Sequence, residues 1–378
     1  MNMTTLEVVF SAVDSLYFRG SRPHAAAGAS ALTSVFPPPA STFSGAVRTR
    51  LGDALGLDWN ALGDGVYHHT GPELDGVDIE RLIGTADDTG LLHFGAPLVR
   101  KGGEPLYPVP AVLLKAESGL VKMELGNAVH TDLGHVRLPR LPDGIQSAKP
   151  LEDCWLSATG MQRFLNGDLP EPEHIVAKNQ LVQYEQRLGI GREVSTGTVM
   201  SGLLYQTEHL RLEPDVDFTI TVTLPELAAK RLLEDISHNP LQRFGGEGRM
   251  AELTADTVEQ ARALPSPGGN PELLTLLTDM LPDGKPDPAP LPGFSATTVE
   301  GVACWIELYL LSVASGKPRR IGGWDIRHNR PRPVQSYIPA GSCFYVRAVN
   351  ATDQLQQLHG KQIGRQTDFG LGTLLCAA

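Results

Sequence analysis

An α+β chain that uses one architectural unit twice is what this sequence predicts, on three observations. In Val216–Leu224, VDFTITVTL, the residues Phe218, Ile220, Val222 and Leu224 alternate with threonines, the period of a half-buried strand. A helical stretch, an arginine-bearing glycine turn from Arg243 to Arg249 and a short apolar strand from Met250 follow it. The same order returns at the C-terminus, and repetition within one chain outweighs any single motif.

Taken in order, Leu6–Val13 predicts a first strand rich in Val and Phe. Pro37, Pro38 and Pro39 predict a stiff extended lead-in, because proline joins neither a helix interior nor a central strand. Ser41 or Thr42 is then a helix N-cap, and Phe43, Val47, Leu51 and Leu55 form one apolar stripe ending near Gly52 or Gly56. Leu57–Ile190 reads mostly as insertions, with a hairpin turned at Gly102-Gly103 and a short helix over Ser157–Leu165 capped by Ser157. Val199–Leu212 reads as a strand of the first copy's sheet, following the Phe43 helix and preceding Val216–Leu224. After Val216–Leu224, Pro225 and Glu226 suit a helix start, with Ala228, Leu232 and Ile236 as its buried stripe. In the second copy, strand Ser342–Val349 precedes a helix through Leu355 and Leu358, the turn Gly364–Gly372 and strand Thr373–Cys376. Completing each half with an earlier strand–helix–strand gives the βαββαβ plan, hence two ferredoxin-like (RRM-like) domains with long insertions in the first. In this reading residues 1–260 form the N-terminal domain, 261–296 a proline-rich linker with one helix candidate (Glu272–Met280), and 297–378 the C-terminal domain, which opens with strand Thr298–Val313.

Composition narrows the function. The net charge of −11 argues against a free-standing nucleic-acid binder, since the long-range field repels phosphates, yet it leaves room for a local site. Basic residues crowd Lys317–Arg332 while Ala251–Glu300 is acidic. No apolar run is long enough to cross a bilayer; Val302–Val313 is interrupted by Glu307. A signal-peptide pattern is absent, and Cys154, Cys304, Cys343 and Cys376 form no CxxC pair, so a reducing cytoplasm is expected, with neither zinc site nor disulfide. His68-His69 and His130/His135 lack an ordered set of further ligands, and no metal or cofactor is expected.

The duplicated plan, with a glycine turn before each last strand, resembles the repeat-associated mysterious protein (RAMP) superfamily of CRISPR systems. In detail, Asp14–Pro23, Phe36–Thr42 and Gly45–Arg48 look like the N-terminal block of the third-named subunit family of the type III-B (Cmr) effector complex. Gly191–Gly197, Gly202–Tyr205 and Glu208–Arg211 are similar to its central block, and Phe244–Arg249 with Gly364–Gly372 complete the match. The resemblance implies a non-catalytic subunit that binds the repeat-derived 5′ handle of the guide (cr)RNA. It also implies two protein partners, the large polymerase-like CRISPR subunit and the backbone RAMP subunit.

Single-stranded RNA is held by cationic side chains, backbone N–H groups and helix ends. A helix N-terminus with Ser41, Thr42 and Ser44 beside it and Arg48 one turn on is a ready anion site, or alternatively a capped surface helix. Glycine lets a chain approach phosphate and form an anion nest, although a tight turn into a strand needs it equally. The RNA-binding candidates are Arg19, Arg22, Ser41, Thr42, Arg48, Arg243, Gly245, Gly246, Arg249, Gly364, Arg365, Gln366, Thr367 and Gly370. Tyr345 is assigned to packing. An enzymatic alternative is a metal-independent endoribonuclease processing precursor guide RNA, with His24 as general acid or base.

Overall fold

The computed structural model describes residues 2–20, 31–63, 66–71, 77–131, 134–258, 264–266, 269, 271–282, 308–325, 330–348 and 352–378. Strands predominate over helices. The chain divides into two compact units interleaved along the sequence: Met1–Gly103 with Asn179–Ala261 and Arg320–Gln335, and Glu104–Lys178 with Arg262–Arg319 and Ser336–Ala378. This departs from the expected boundaries at 260 and 297, because much of the expected insertion folds with the C-terminal segment.

In the first unit, Met3–Ala12 is central, antiparallel to Val216–Pro225 on one side and Met250–Val258 on the other. Leu98–Lys101 and His93–Phe94 pair with the outer edge of Val216–Pro225, and Leu241–Arg243 with that of Met250–Val258. The alternation seen in the sequence decides which face is buried: Leu6, Val8, Phe10, Phe218, Ile220, Val222 and Leu224 are all fully inaccessible. Helix Glu226–His238 buries Ala228, Leu232 and Ile236 against these strands and against helix Ala40–Ala54. Phe43, from the latter, meets Phe10 edge-on at 5.4 Å and Phe218 at 5.7 Å. Each such ring pair adds roughly 0.5–1.5 kcal/mol to the stabilisation from burial. Arg50 is also drawn in: only 5% exposed, it pairs with Asp235 at 2.5 Å and donates to the carbonyls of Asp235, Asn239 and Leu241. A charged donor thus serves the last turn of Glu226–His238 and the chain just beyond it.

Two sequence expectations fail in this unit. Helix Ala40–Ala54 starts one residue before Ser41, and its N-cap is Pro39, with no side-chain cap. Proline's fixed φ sets the extended entrance, and the Thr42 amide goes to the Pro39 carbonyl at 2.9 Å. Val199–Leu212 does not join the central sheet either. It pairs with Val182–Arg192 as a long antiparallel ribbon, with Ala31–Leu32 added in parallel. Ribbon residues such as Leu188 and Val199 stay exposed, whereas Val99 of Leu98–Lys101 is buried and fills the place beside Val216–Pro225.

In the second unit, strand Leu273–Leu276 lies between Cys343–Ala348 and Leu374–Ala377, antiparallel to both, and Leu308–Ala314 adds to the edge of Cys343–Ala348. The expected helix Glu272–Met280 is therefore wrong. Leu273, Leu276, Leu277 and Met280 stand at helical spacing, but Leu273–Leu276 is buried at all four positions, Thr275 included, as a central strand between two others requires. Leu274, Leu276, Phe344, Val346, Leu355, Leu358, Ile363 and Leu374 share one core. Helix Thr352–Leu358 is a 3₁₀ segment. Helix Ala158–Leu165 forms as expected, with the Ser157 hydroxyl accepting from the Gly160 amide at 3.2 Å. The Thr298–Val313 strand is observed as Leu308–Ala314, residues 298–307 lying outside the described ones. The basic Lys317–Arg332 stretch contributes to strands Arg319–Asp325 and Arg330–Tyr337, which pair with each other and belong mostly to the first unit.

Candidate nucleic-acid interface

The two glycine turns, one in each unit, have the same construction. In the first, Phe244 is fully buried and stacks on Phe10 at 4.6 Å, so the chain enters the turn from the core. Gly245 follows at φ +90°, and a Cβ on it would lie 2.4 Å from the carbonyl oxygen of Tyr17. The Gly246 amide donates to that same oxygen at 2.8 Å, and Glu247 has φ 56°. In the second, buried Ile363 precedes Gly364 at φ +89°, and a Cβ there would lie 2.6 Å from the carbonyl oxygen of Leu281. The Arg365 amide donates to this oxygen at 2.9 Å, and Gln366 has φ 55°. Tyr17 and Leu281 each follow, five residues on, the end of the central strand of their unit, Met3–Ala12 and Leu273–Leu276. The repeat read in the sequence is thus a repeat of backbone geometry.

The purpose of these glycines differs from the expected one. At both positions the missing Cβ admits the protein's own carbonyl. Several amides expected to face an anion are already committed: Arg249 N–H donates to Gly246, Phe369 to Gln366, Gly370 to Thr367 and Gly372 to Asp279. Gly370 is buried. What the turns present outward is side chain. Arg243 and Arg365 are exposed, and among the described residues neither has an ion-pair partner. Gln366 and Thr367 are half-buried at the outer side of the second turn.

The other candidates divide. Arg19 is exposed, bridged through its backbone to Ser34 in the segment that carries Tyr17. Arg22 and His24 lie outside the described residues. Ser41 is exposed and Thr42 half-buried, but Ser44 is fully buried and donates to the Ser41 carbonyl at 3.3 Å. Arg48 faces inward, donating to the carbonyls of Ile83 at 2.6 Å and Thr85 at 2.5 Å, and burial holds its guanidinium down at about 10. It ties Ile79–Ile83 to helix Ala40–Ala54 and leaves the helix N-terminus without its expected cation. Tyr345 packs as assigned, 8% exposed with its hydroxyl on the Met123 carbonyl at 2.6 Å.

Of a group gathered beside the first turn, sequence reading named only Arg249 as a candidate. Asp14 sits among three guanidiniums, at 2.9 Å from Arg211, 3.2 Å from Arg187 and 3.6 Å from Arg249. Glu185 takes Arg187 and Arg211, both at 2.7 Å. A Ser15 backbone hydrogen bond, then Arg211 and Arg187, hold the Asp14 carboxyl down at about 2. Beneath them His209, 2% exposed, hydrogen-bonds Ser15 and Thr207 and stacks on Tyr17 at 5.2 Å. Burial, with Arg187 and Arg249 adding to it, pushes the His209 imidazole below its usual range, so it is neutral at pH 7. Strand period 2 puts Glu185 and Arg187, and opposite them Thr207, His209 and Arg211, on one face of the ribbon. These residues are scattered from 14 to 249, and only their pairing in the fold unites them. Among the described residues no group of three His, Cys, Asp or Glu side chains is placed to hold a metal ion, and no helix is long and apolar enough to cross a membrane.

Comparison with known proteins gives the family. The family model of CRISPR-associated protein (Cas_Cmr3) matches residues 8–377, and the chain belongs to that family, the RAMP-type subunit of type III-B (Cmr) CRISPR effector systems. Among solved structures, it is similar to a chain of a cryo-EM structure of the Type III-B Cmr-beta bound to cognate target RNA and AMPPnP, at 18% identity and TM-score 0.49, covering 90% of this chain and 86% of that one. It is similar to a chain of a Csm3–Csm4 subcomplex of the type III-A interference complex at 11% identity and TM-score 0.39, covering 90% and 92%. A Cas6-related protein from Pyrococcus furiosus matches at 7% identity and TM-score 0.33, covering 99% and 98%. The curated proteins contain no match.

Proposed function

We propose that this chain is a non-catalytic RNA-binding subunit of a type III-B CRISPR ribonucleoprotein in antiviral defence, holding the repeat-derived 5′ handle of the guide RNA. In this reading it docks the large polymerase-like subunit at the base of the filament and contacts the backbone RAMP subunit, all in the cytoplasm. Each unit carries a ferredoxin-like core: the strand orders Met250–Val258, Met3–Ala12, Val216–Pro225, Leu98–Lys101 and Leu374–Ala377, Leu273–Leu276, Cys343–Ala348, Leu308–Ala314 are both the 4-1-3-2 order of βαββαβ.

The observation that supports the RNA role is the pair of equivalent turns, each with its backbone turned inward and an exposed arginine, Arg243 or Arg365, turned outward. Arginine reads phosphate with several N–H donors at once, and a turn locked by a buried residue fixes where it stands. Arg19 belongs to the same surface as Arg243, because its segment is held to the first turn through Tyr17. Net acidity suits a protein that meets RNA only inside an assembly.

The test is 5′ handle retention by complexes co-purified with neighbouring subunits. An Arg243→Gln, Arg249→Gln, Arg365→Gln variant that still assembles is expected to lose most handle crosslinks to this chain; unchanged occupancy rejects the assignment. The isolated protein is expected to leave repeat RNA intact in chelator. Cleavage abolished by His24→Ala would establish the endoribonuclease instead.

A further inference from the structure

The arginines beside the first turn exceed what holding the fold together requires. Asp14 lies just beyond the central strand Met3–Ala12, Arg187 and Arg211 at the base of the Val182–Arg192/Val199–Leu212 ribbon, and Arg249 at the end of the glycine turn. One carboxylate would join any two of these elements. Instead three guanidiniums converge on Asp14, and Glu185 orients two of them from the side. All three remain part-exposed, with Arg211 at 46% of its side-chain surface. Their contacts among the described residues are few: Nε and Nη2 of Arg187; Nε, Nη1 and Nη2 of Arg211; Nε and Nη1 of Arg249, where Nε donates to the Glu247 carbonyl. A guanidinium carries five N–H donors, so about half of the cluster's donors have no acceptor among the described residues.

Convergent, part-exposed guanidiniums whose positions are set by carboxylates meet the requirements of a phosphate receptor. A rigid floor lies below: Tyr17 stacked on His209, itself held by Ser15 and Thr207. His209 stays neutral there, so it neither adds charge nor repels the arginines. The counter-charges near it are Glu185 and Glu247.

We propose that Arg187, Arg211 and Arg249 together bind the sugar–phosphate backbone of the RNA at the base of the ribbon, with Asp14 and Glu185 as positioning residues. This rests on the RNA-binding reading above and extends it to Arg187, Arg211, Asp14 and Glu185. It also makes the ribbon base part of the RNA path.

Guide-RNA retention by the assembled complex, titrated with salt, tests it. Loss of one phosphate contact lowers the slope of log K against log salt by about 0.7 for a single strand, so Arg187→Gln/Arg211→Gln is expected to lower it by about 1.4. Affinity at about 0.15 M salt is expected to fall roughly tenfold or more. An unchanged slope and affinity in a complex of normal subunit composition overturns the proposal. Arg243→Gln/Arg365→Gln, measured in parallel, separates the two claims: if that pair weakens retention while the ribbon pair does not, the RNA-binding reading stands and this site fails. If neither pair matters, both fail. Asp14→Asn adds net positive charge yet frees the three side chains, and it is expected to weaken retention. Tighter binding would show that Asp14 only repels RNA, overturning its positioning role.

Discussion

Replacing Gly245 by alanine distinguishes two reasons for a glycine in that turn. If it is there to let RNA approach, alanine costs affinity and leaves the free protein as stable as before. The structure gives the other reason, since a Cβ would lie 2.4 Å from the Tyr17 carbonyl oxygen and 3.0 Å from two atoms of the Phe18 ring. Neither neighbour is the free end of a flexible side chain. Holding an L-residue at positive φ costs about 1–2 kcal/mol. Pushing the turn away from Tyr17 also forfeits the Gly246 N–H bond to the same oxygen, about 1 kcal/mol, and loosens Phe244 above it. The expected loss is about 3 kcal/mol. Gly248 supplies the control: its φ is +65° and a Cβ there would meet nothing within 4 Å, so alanine costs only the backbone share, about 1 kcal/mol. Reduced unfolded-state entropy offsets both variants equally and cancels in the comparison. Urea unfolding of the RNA-free protein reads the difference, expected at about 2 kcal/mol with unchanged m. Equal stabilities for the two variants, or a Gly245→Ala protein that is stable and defective only in RNA retention, would refute the reasoning.

Other expectations follow from single contacts. Arg50→Gln is expected to destabilise by about 3 kcal/mol in the same assay, since it leaves the Asp235 carboxylate unpaired and removes a charged donor from the carbonyls of Asp235, Asn239 and Leu241. Tyr17→Phe is expected to raise stability by about 1 kcal/mol, because the Tyr17 hydroxyl, in a residue 3% exposed, has no hydrogen-bond partner among the described residues. A fall in Tm would mean the hydroxyl is satisfied. The Asp14 carboxyl is lowered from 3.8 to about 2 in the folded protein, so its contribution is present above pH 4 and lost as pH falls from 4 through 2. Urea midpoints of the native protein and Asp14→Asn are therefore expected to converge across that window, and a constant gap would rule this out. Gly364→Ala, with a Cβ 2.6 Å from the Leu281 carbonyl oxygen, is expected to behave as Gly245→Ala does, which tests the equivalence of the two turns by thermal unfolding.

How much of this was legible in the sequence varies with the range of the interactions. Periodicity in Val216–Leu224 and the stripe through Phe43, Val47 and Leu51 identified core faces correctly, because strand and helix periods are local properties of the chain. The duplicated turn was legible for the same reason, as buried residue, glycine and arginine lie within a few positions of each other. Leu273–Leu276 was misread because Leu273, Leu276, Leu277 and Met280 fall at helical spacing, and only its two neighbouring strands make it a strand. Arg48 was assigned to RNA on its distance from a helix N-terminus, while its true acceptors, Ile83 and Thr85, come from a segment whose approach no local pattern reveals.

By itself, then, the order of residues determined the α+β composition, the repeat, the family and the placing of arginine at two turns. Tertiary structure alone decided what the glycines admit, which arginines are consumed and that Asp14, Glu185, Arg187, Arg211 and Arg249 meet. The reason is physical: conformational preference is set by neighbours along the chain, whereas charge pairing and close carbonyl approach depend on which distant strands lie side by side.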